Sequence, residues 1–156
     1  MPVTTKSETG KNPFYMLGNA FSPEKMWETM RVGTQNAARD VLAKGGEPGT
    51  DIALFNLRNF STMLITGKLF FAFYERERLF WFETVRDALN TLGDPRGAEV
   101  LRDMAKHLGD CKGAEEQRAL ALAENFERTA KQLEMAPLIP SVRDFDKIFR
   151  INQFLM

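Results

Sequence analysis

Apolar residues recur along this chain at steps of three and four, and alternating runs rich in β-branched residues are scarce, so the pattern predicts helices and no strands. Ser22-Pro23-Glu24 offers a capping hydroxyl, a proline at the first helical position and an acid facing the helix dipole. Trp27, Met30, Thr34, Ala37 and Val41 then line one face of a first helix, which Gly45-Gly46 and Pro48 stop. Thr50 or Asp51 can cap the next. No proline interrupts it before Pro95, so the spacing predicts a single helix of about 42 residues, roughly 60 Å long, with Gly67 the one place for a bend. Gly93-Asp94-Pro95 ends it. A short helix over 96–108 follows, then a break from Gly109 to Gly113. Another helix over 114–135 carries Leu122, Phe126, Ala130 and Leu133 along one side. After Pro137 and Pro140, Ser141 with Asp144 resembles a capping box and opens a last helix bearing Phe145, Ile148, Phe149 and Ile151. The expectation is an all-α bundle of four or five helices with one long, possibly coiled-coil-like central helix. Residues 1–13 read as a mobile tail before a single domain over 14–156, and the apolar run at 14–21 reads as a docking segment or a short turn.

The long helix carries most of the information. Leu57, Phe60, Leu64, Gly67, Phe71, Tyr74, Arg78, Trp81, Val85, Ala88 and Leu92 follow one another at three- and four-residue steps, an apolar seam suited to a neighbouring helix. Arg78 either sets register by pairing across that seam or extends its head to water. Leu57, Phe60, Leu64, Phe71, Tyr74, Trp81 and Val85 are the candidate contacts with a second copy of the chain, because so long a helix has more apolar length than short flanking helices cover. Phe70, Phe73, Leu79, Phe80 and Phe82 fill the remaining faces between 69 and 82. A helix apolar all round is either buried on every side or facing something apolar outside the fold. The charged run Glu75 to Arg78 argues that part of the stretch stays in water, which makes those five residues the candidate apolar docking surface. Core burial is the competing reading.

Composition narrows the function classes. Hydrophobic residues make up 44% and charged residues 27%, with 21 basic against 21 acidic side chains, so no positive excess is present to displace counterions from nucleic acid. The single cysteine, Cys111, cannot pair within the chain, which fits a reducing compartment. The N-terminus lacks the apolar core of a secretory signal, and no stretch approaches the ~20 apolar residues of a membrane span. These features predict a cytoplasmic protein.

Catalytic signals are missing from the pattern. His107 is the only histidine, and Met104 stands three residues before it where a carboxylate-bridged diiron bundle would place a glutamate. Asp103 and His107, four apart, can form a surface pair. No HExxH, CxxC, phosphate-cradling glycine loop or nucleophile elbow occurs. The expectation is a protein without catalytic residues, metal or cofactor.

One family likeness adds to this reading. Asn12-Pro13-Phe14, the long central helix, the break at Gly93-Asp94-Pro95, the stretch GAEVLRDMAKHL and the helix ALALAENFERTAKQLEMA together resemble the phasins, over about residues 56–135. The best local match is Asp94-Pro95 followed by Glu99-Val100-Leu101. Arg102-Asp103 stand where many phasins continue with Leu-Gln, and Trp27, Trp81 and thirteen phenylalanines depart from the alanine-rich family composition. The resemblance implies an amphipathic helical protein that coats polyhydroxyalkanoate storage granules. The alternative is a helical scaffold or accessory subunit, a virion component or an enzyme's partner, acting by protein–protein assembly.

Overall fold

A computed structural model describes residues 22–67, 75–137, 142 and 144–151, which hold six helices and no strand. They are α1 (Pro23–Ala43), α2 (Asp51–Thr66), α3 (Glu75–Leu92), α4 (Gly97–Gly109), α5 (Glu116–Glu134) and the single turn α6 (Phe145–Ile148). The all-helical reading stands, and the boundaries of α1, α4 and α5 fall within a few residues of those the pattern predicts.

The start of α1 is built as its sequence suggests: the Ser22 hydroxyl accepts from the Lys25 N–H at 3.3 Å, with Pro23 in the first turn. Thr50 occupies the N-cap position of α2, but its hydroxyl does not cap; it is drawn to Asp94. Asp144, by contrast, caps α6 by accepting from the Asp146 N–H at 3.2 Å. Ser141, expected to share in that cap, lies outside the described residues.

The single long helix is not present. Gly67 adopts the left-handed conformation (φ 74°) and its N–H returns to the Leu64 carbonyl at 3.4 Å, so it ends α2 as a C-cap rather than bending a continuing helix. A new helix, α3, begins at Glu75 and packs against α2. The physical reason is burial. Folding the two halves onto each other hides both parts of the apolar seam at once, which a straight helix could do only with a partner. Leu57, Phe60 and Leu64 from α2, and Trp81, Val85, Ala88 and Leu92 from α3, are all buried inside the chain. The seam is therefore an intramolecular one, a correction to its assignment as an oligomer contact. Phe71 and Tyr74 of that seam lie outside the described residues.

Helix α3 is the centre of the fold, in contact with α2, α4, α5 and α6. Its apolar residues consequently face the interior in every direction, and Leu79, Phe80 and Phe82 are buried. This overturns the reading of those three as an outward patch; Phe70 and Phe73, the other two members, lie outside the described residues. The charges that suggested exposure are placed where they do not force it. Glu77 and Arg78 sit half-buried near the start of the described part of α3. The α4–α5 hairpin forms the most extensive pair, joined through Val100, Leu101, Met104 and Leu108 against Leu122, Phe126, Ala130 and Leu133.

Candidate interaction surface

Several polar clusters join the helices; three of them bear on a groove or on a residue singled out in the sequence, and each is occupied by its own partners. At the α3–α4 corner, Asp94 is fully buried: its carboxylate accepts from the Thr50 hydroxyl, from the Arg96 backbone N–H at 2.9 Å and from Arg96 Nη2 at 2.6 Å. Arg96 Nη1 extends the cluster to Asp51 at 2.6 Å. Burial pushes the Asp94 carboxyl upward, but the Arg96 and Thr50 hydrogen bonds more than offset it and hold the group at about 2, below the ordinary 3.8. The Asp94-Pro95 pair singled out in the sequence is thus the lock of a helix–helix corner.

Beside this corner lies an open groove of about 660 Å³ between α2, α4 and α5, with Arg58, Arg96 and Arg102 on its walls. Arg58 pairs with Glu99 at 3.2 Å, Arg96 is held as described, and Arg102 Nη2 donates to Glu134 at 2.7 Å. Its cations are spent on carboxylates of the same wall, so the groove is a charge-latched seam rather than an anion cradle.

The third cluster holds the only histidine. The Arg78 guanidinium contacts His107 Nε2, lies 5.6 Å above the Phe82 ring, and the Phe82 ring sits 5.9 Å from the imidazole. Cys111 borders the same place, but the space there is only about 10 Å³, room for about one water and no larger ligand. Arg78 therefore reaches across from α3 to His107 of α4. Among the described residues, no group of three or more His, Cys, Asp or Glu side chains could hold a metal ion.

The remaining feature is apolar. Trp27 anchors α1: its indole N–H donates to the Phe149 carbonyl at 2.9 Å, and its ring meets Phe60, Trp81 and Phe149 at 5.1, 5.8 and 5.7 Å. Thr34, fully buried, accepts from Asn56 Nδ2 at 2.7 Å and so fixes α1 to α2. Beside this polar pin, Met26, Thr29 and Met30 of α1 and Asn56, Asn59, Phe60 and Met63 of α2 line a groove of about 160 Å³. Among the described residues, no charged side chain lines it.

The outer face of α2 continues that character. Phe55, Asn59, Thr62 and Thr66, spaced i, i+4, i+7 and i+11, are exposed and uncharged, and Phe55 is 64% exposed. The face is more apolar than its letters suggest. The Thr62 hydroxyl donates to the Arg58 carbonyl at 3.0 Å and the Thr66 hydroxyl to the Thr62 carbonyl at 2.9 Å, so both hydroxyls are satisfied by their own helix. Charge depletion around aromatic and methionine side chains marks the centre of an interface better than bulk hydrophobicity does. None of these residues was among the sequence candidates; the signal available was the uncharged i, i+4, i+7, i+11 stripe. Among the described residues, the other exposed large apolar side chains, Val32, Leu42, Leu120 and Met135, lie on α1 and α5 or just beyond α5.

No family model, no curated protein and no solved structure matches this chain. No helix among the described residues is long and apolar enough to cross a membrane.

Proposed function

We propose that this chain is a non-catalytic helical assembly protein that docks a protein surface through the α1–α2 face. The observation that carries this reading is the uncharged stripe of α2 running beside a methionine-lined groove. Unbranched thioether side chains adapt to an inserted apolar group, which suits a docking groove and offers nothing to turn over a polar substrate. The ionisable groups described above serve a different purpose: Asp94, Arg96, Arg102 and Glu134 join helices to one another. The test is a photo-reactive amino acid placed at Asn59, with a control at the exposed Glu124 on α5, in cells that produce the protein. Adducts to protein from position 59 and none from 124 are expected. No adduct from 59, or equal labelling from both positions, defeats the reading.

The phasin resemblance supports a second reading, a coat on polyhydroxyalkanoate granules. The same stripe favours it, since adsorption to a polyester surface also needs an exposed face without charge. Purified protein mixed with polyhydroxybutyrate particles would partition onto them and lose that affinity when Phe55 and Thr62 are both replaced by glutamate. Failure of the wild-type protein to adsorb removes the granule coat and leaves the protein-docking reading in place. Under either reading the protein works as a surface and needs no cofactor. Stoichiometric metal or a chromophore in the purified protein would overturn both.

A further inference from the structure

The single turn α6 packs against α1 and α3. Phe145, Ile148 and Phe149, spaced i, i+3 and i+4, are all buried there. Hydrogen bonds surround them. The Val142 N–H donates to the Pro48 carbonyl at 3.0 Å, and the Trp27 indole N–H to the Phe149 carbonyl at 2.9 Å. At the rim, Arg31 Nη1 donates to the exposed Asp146 carboxylate at 3.3 Å, and the Gln35 amide donates to the same oxygen. Four residues are too few to hold a helix by themselves, so α6 is kept in shape by its groove, as a bound peptide is. We propose that α6 is an exchangeable strap, which leaves its groove as a unit while the rest of the bundle stays folded and seats in the vacated groove of a second copy of this chain.

The bundle keeps its own supports when the strap leaves. Trp27 still meets Phe60 and Trp81 at 5.1 and 5.8 Å, and Asn56 still donates to Thr34 at 2.7 Å, so α1 stays fixed to α2. The α4–α5 hairpin is buried through residues of its own two helices. Among the described elements α6 follows α5 and precedes none, so its departure drags no other helix with it. Both halves of the contact are present in every copy. A second chain offers the same Phe-x-x-Ile-Phe segment to the same groove, and the exchange restores each buried side chain and each hydrogen bond. Trading one identical element is a low-cost route to a dimer. The connection to α5 holds the strap near its own groove at an effective concentration on the order of millimolar, so the closed monomer wins in dilute solution and exchange appears as the protein approaches that concentration. The occupant is thus one the structure already shows in place, and the proposal does not rest on the docking face above.

Native-state hydrogen exchange on the full-length chain tests the opening. The Val142 and Phe149 amides and the Trp27 indole N–H are expected to exchange at one common rate, about tenfold or more faster than the amides of α4 and α5. D146K sets a lysine against Arg31 at the exposed rim without touching the core, and should speed all three by about three- to tenfold while α4 and α5 are unchanged. Exchange of the three protons only at the rate of α4 and α5, or a D146K variant that speeds none of them, overturns the proposal. Sedimentation tests the exchange between copies. At about 1 mM a dimer is expected, and a peptide carrying residues 142–151, added in excess, should return it to monomer, whereas the same peptide with Phe145→Ser and Phe149→Ser should not. A chain that stays monomeric at that concentration, or a dimer indifferent to the first peptide, overturns the exchange.

Discussion

Replacing Asp94 by asparagine keeps the side chain's volume and removes its charge, which isolates what the buried carboxylate contributes. Asp94 is fully buried and ionised, accepting from Thr50, from the Arg96 backbone and from the Arg96 guanidinium. A carboxyl held at about 2 instead of 3.8 contributes about 2.4 kcal/mol at neutral pH, at 1.36 kcal/mol per tenfold change. Arg96 is half exposed, so water screens part of that, and about 2 kcal/mol is the expected loss. For a chain of this size the melting temperature should fall by about 4–8 °C. The sign of the pH dependence is fixed: the folded value lies below the unfolded one, so the stabilisation is present above about pH 4 and is lost as the pH falls through about 2. At pH 2.5 about a third of the difference between parent and D94N should remain. Urea titrations of both proteins at pH 7 and 2.5 measure this, and carboxylates common to both cancel in the difference. A loss below about 0.5 kcal/mol at pH 7, or an equal loss at both pH values, would show that the charge does not hold this corner.

Three further perturbations follow from the same geometry. Gly67→Ala meets no steric neighbour but must hold φ 74°, so it should cost about 1–2 kcal/mol in urea denaturation, and a neutral result would mean that the α2 terminus relaxes without its left-handed cap. Trp27→Phe removes the donor to the Phe149 carbonyl and part of the aromatic contact joining α1, α2, α3 and the α6 terminus; a loss of about 2–3 kcal/mol is expected, with faster amide exchange at 145–150, and unchanged exchange there would contradict the anchoring role. Burial, with Glu24 nearby as a second cause, raises the Glu77 carboxyl; its folded value therefore lies above the unfolded one, and stability is lost as the pH rises through it. Glu77→Gln should accordingly be more stable than the parent at pH 7, by less than about 1 kcal/mol, and indistinguishable from it once both are neutral in acid, so a variant that is less stable at pH 7 refutes that assignment.

How much of this was legible depends on the kind of information each feature needed. Helix positions came through periodicity and caps: Ser22-Pro23 opens α1, and the Leu122, Phe126, Ala130 and Leu133 stripe is the buried face of α5. Gly67 was recognised as the weak point of the long helix, but not as its end. Nothing local distinguishes a bend from a left-handed stop, since the choice is decided by the seam burial that the turn permits. The aromatic stretch at 79–82 was legible as apolar on every side, yet its location was not. A central helix and a surface-docking helix carry the same letters, and what separates them is that α3 is flanked by α2, α4, α5 and α6. The charges Glu77 and Arg78 read as pointing to water, yet both are half-buried.

The α2 stripe shows the opposite failure, a surface hidden by letters that look ordinary. Asparagine and threonine on a helix read as solvated face, and a lone phenylalanine among them reads as the scatter found on any surface. Two facts of three-dimensional placement change that reading. The threonine hydroxyls fold back onto the carbonyls one turn earlier and so are satisfied by their own helix. The neighbouring α1 contributes Met26 and Met30, far away in sequence, to the groove wall opposite Met63. Among the described residues, no charged side chain lines that groove or stands at the four stripe positions, although Arg58 lies exposed beside them.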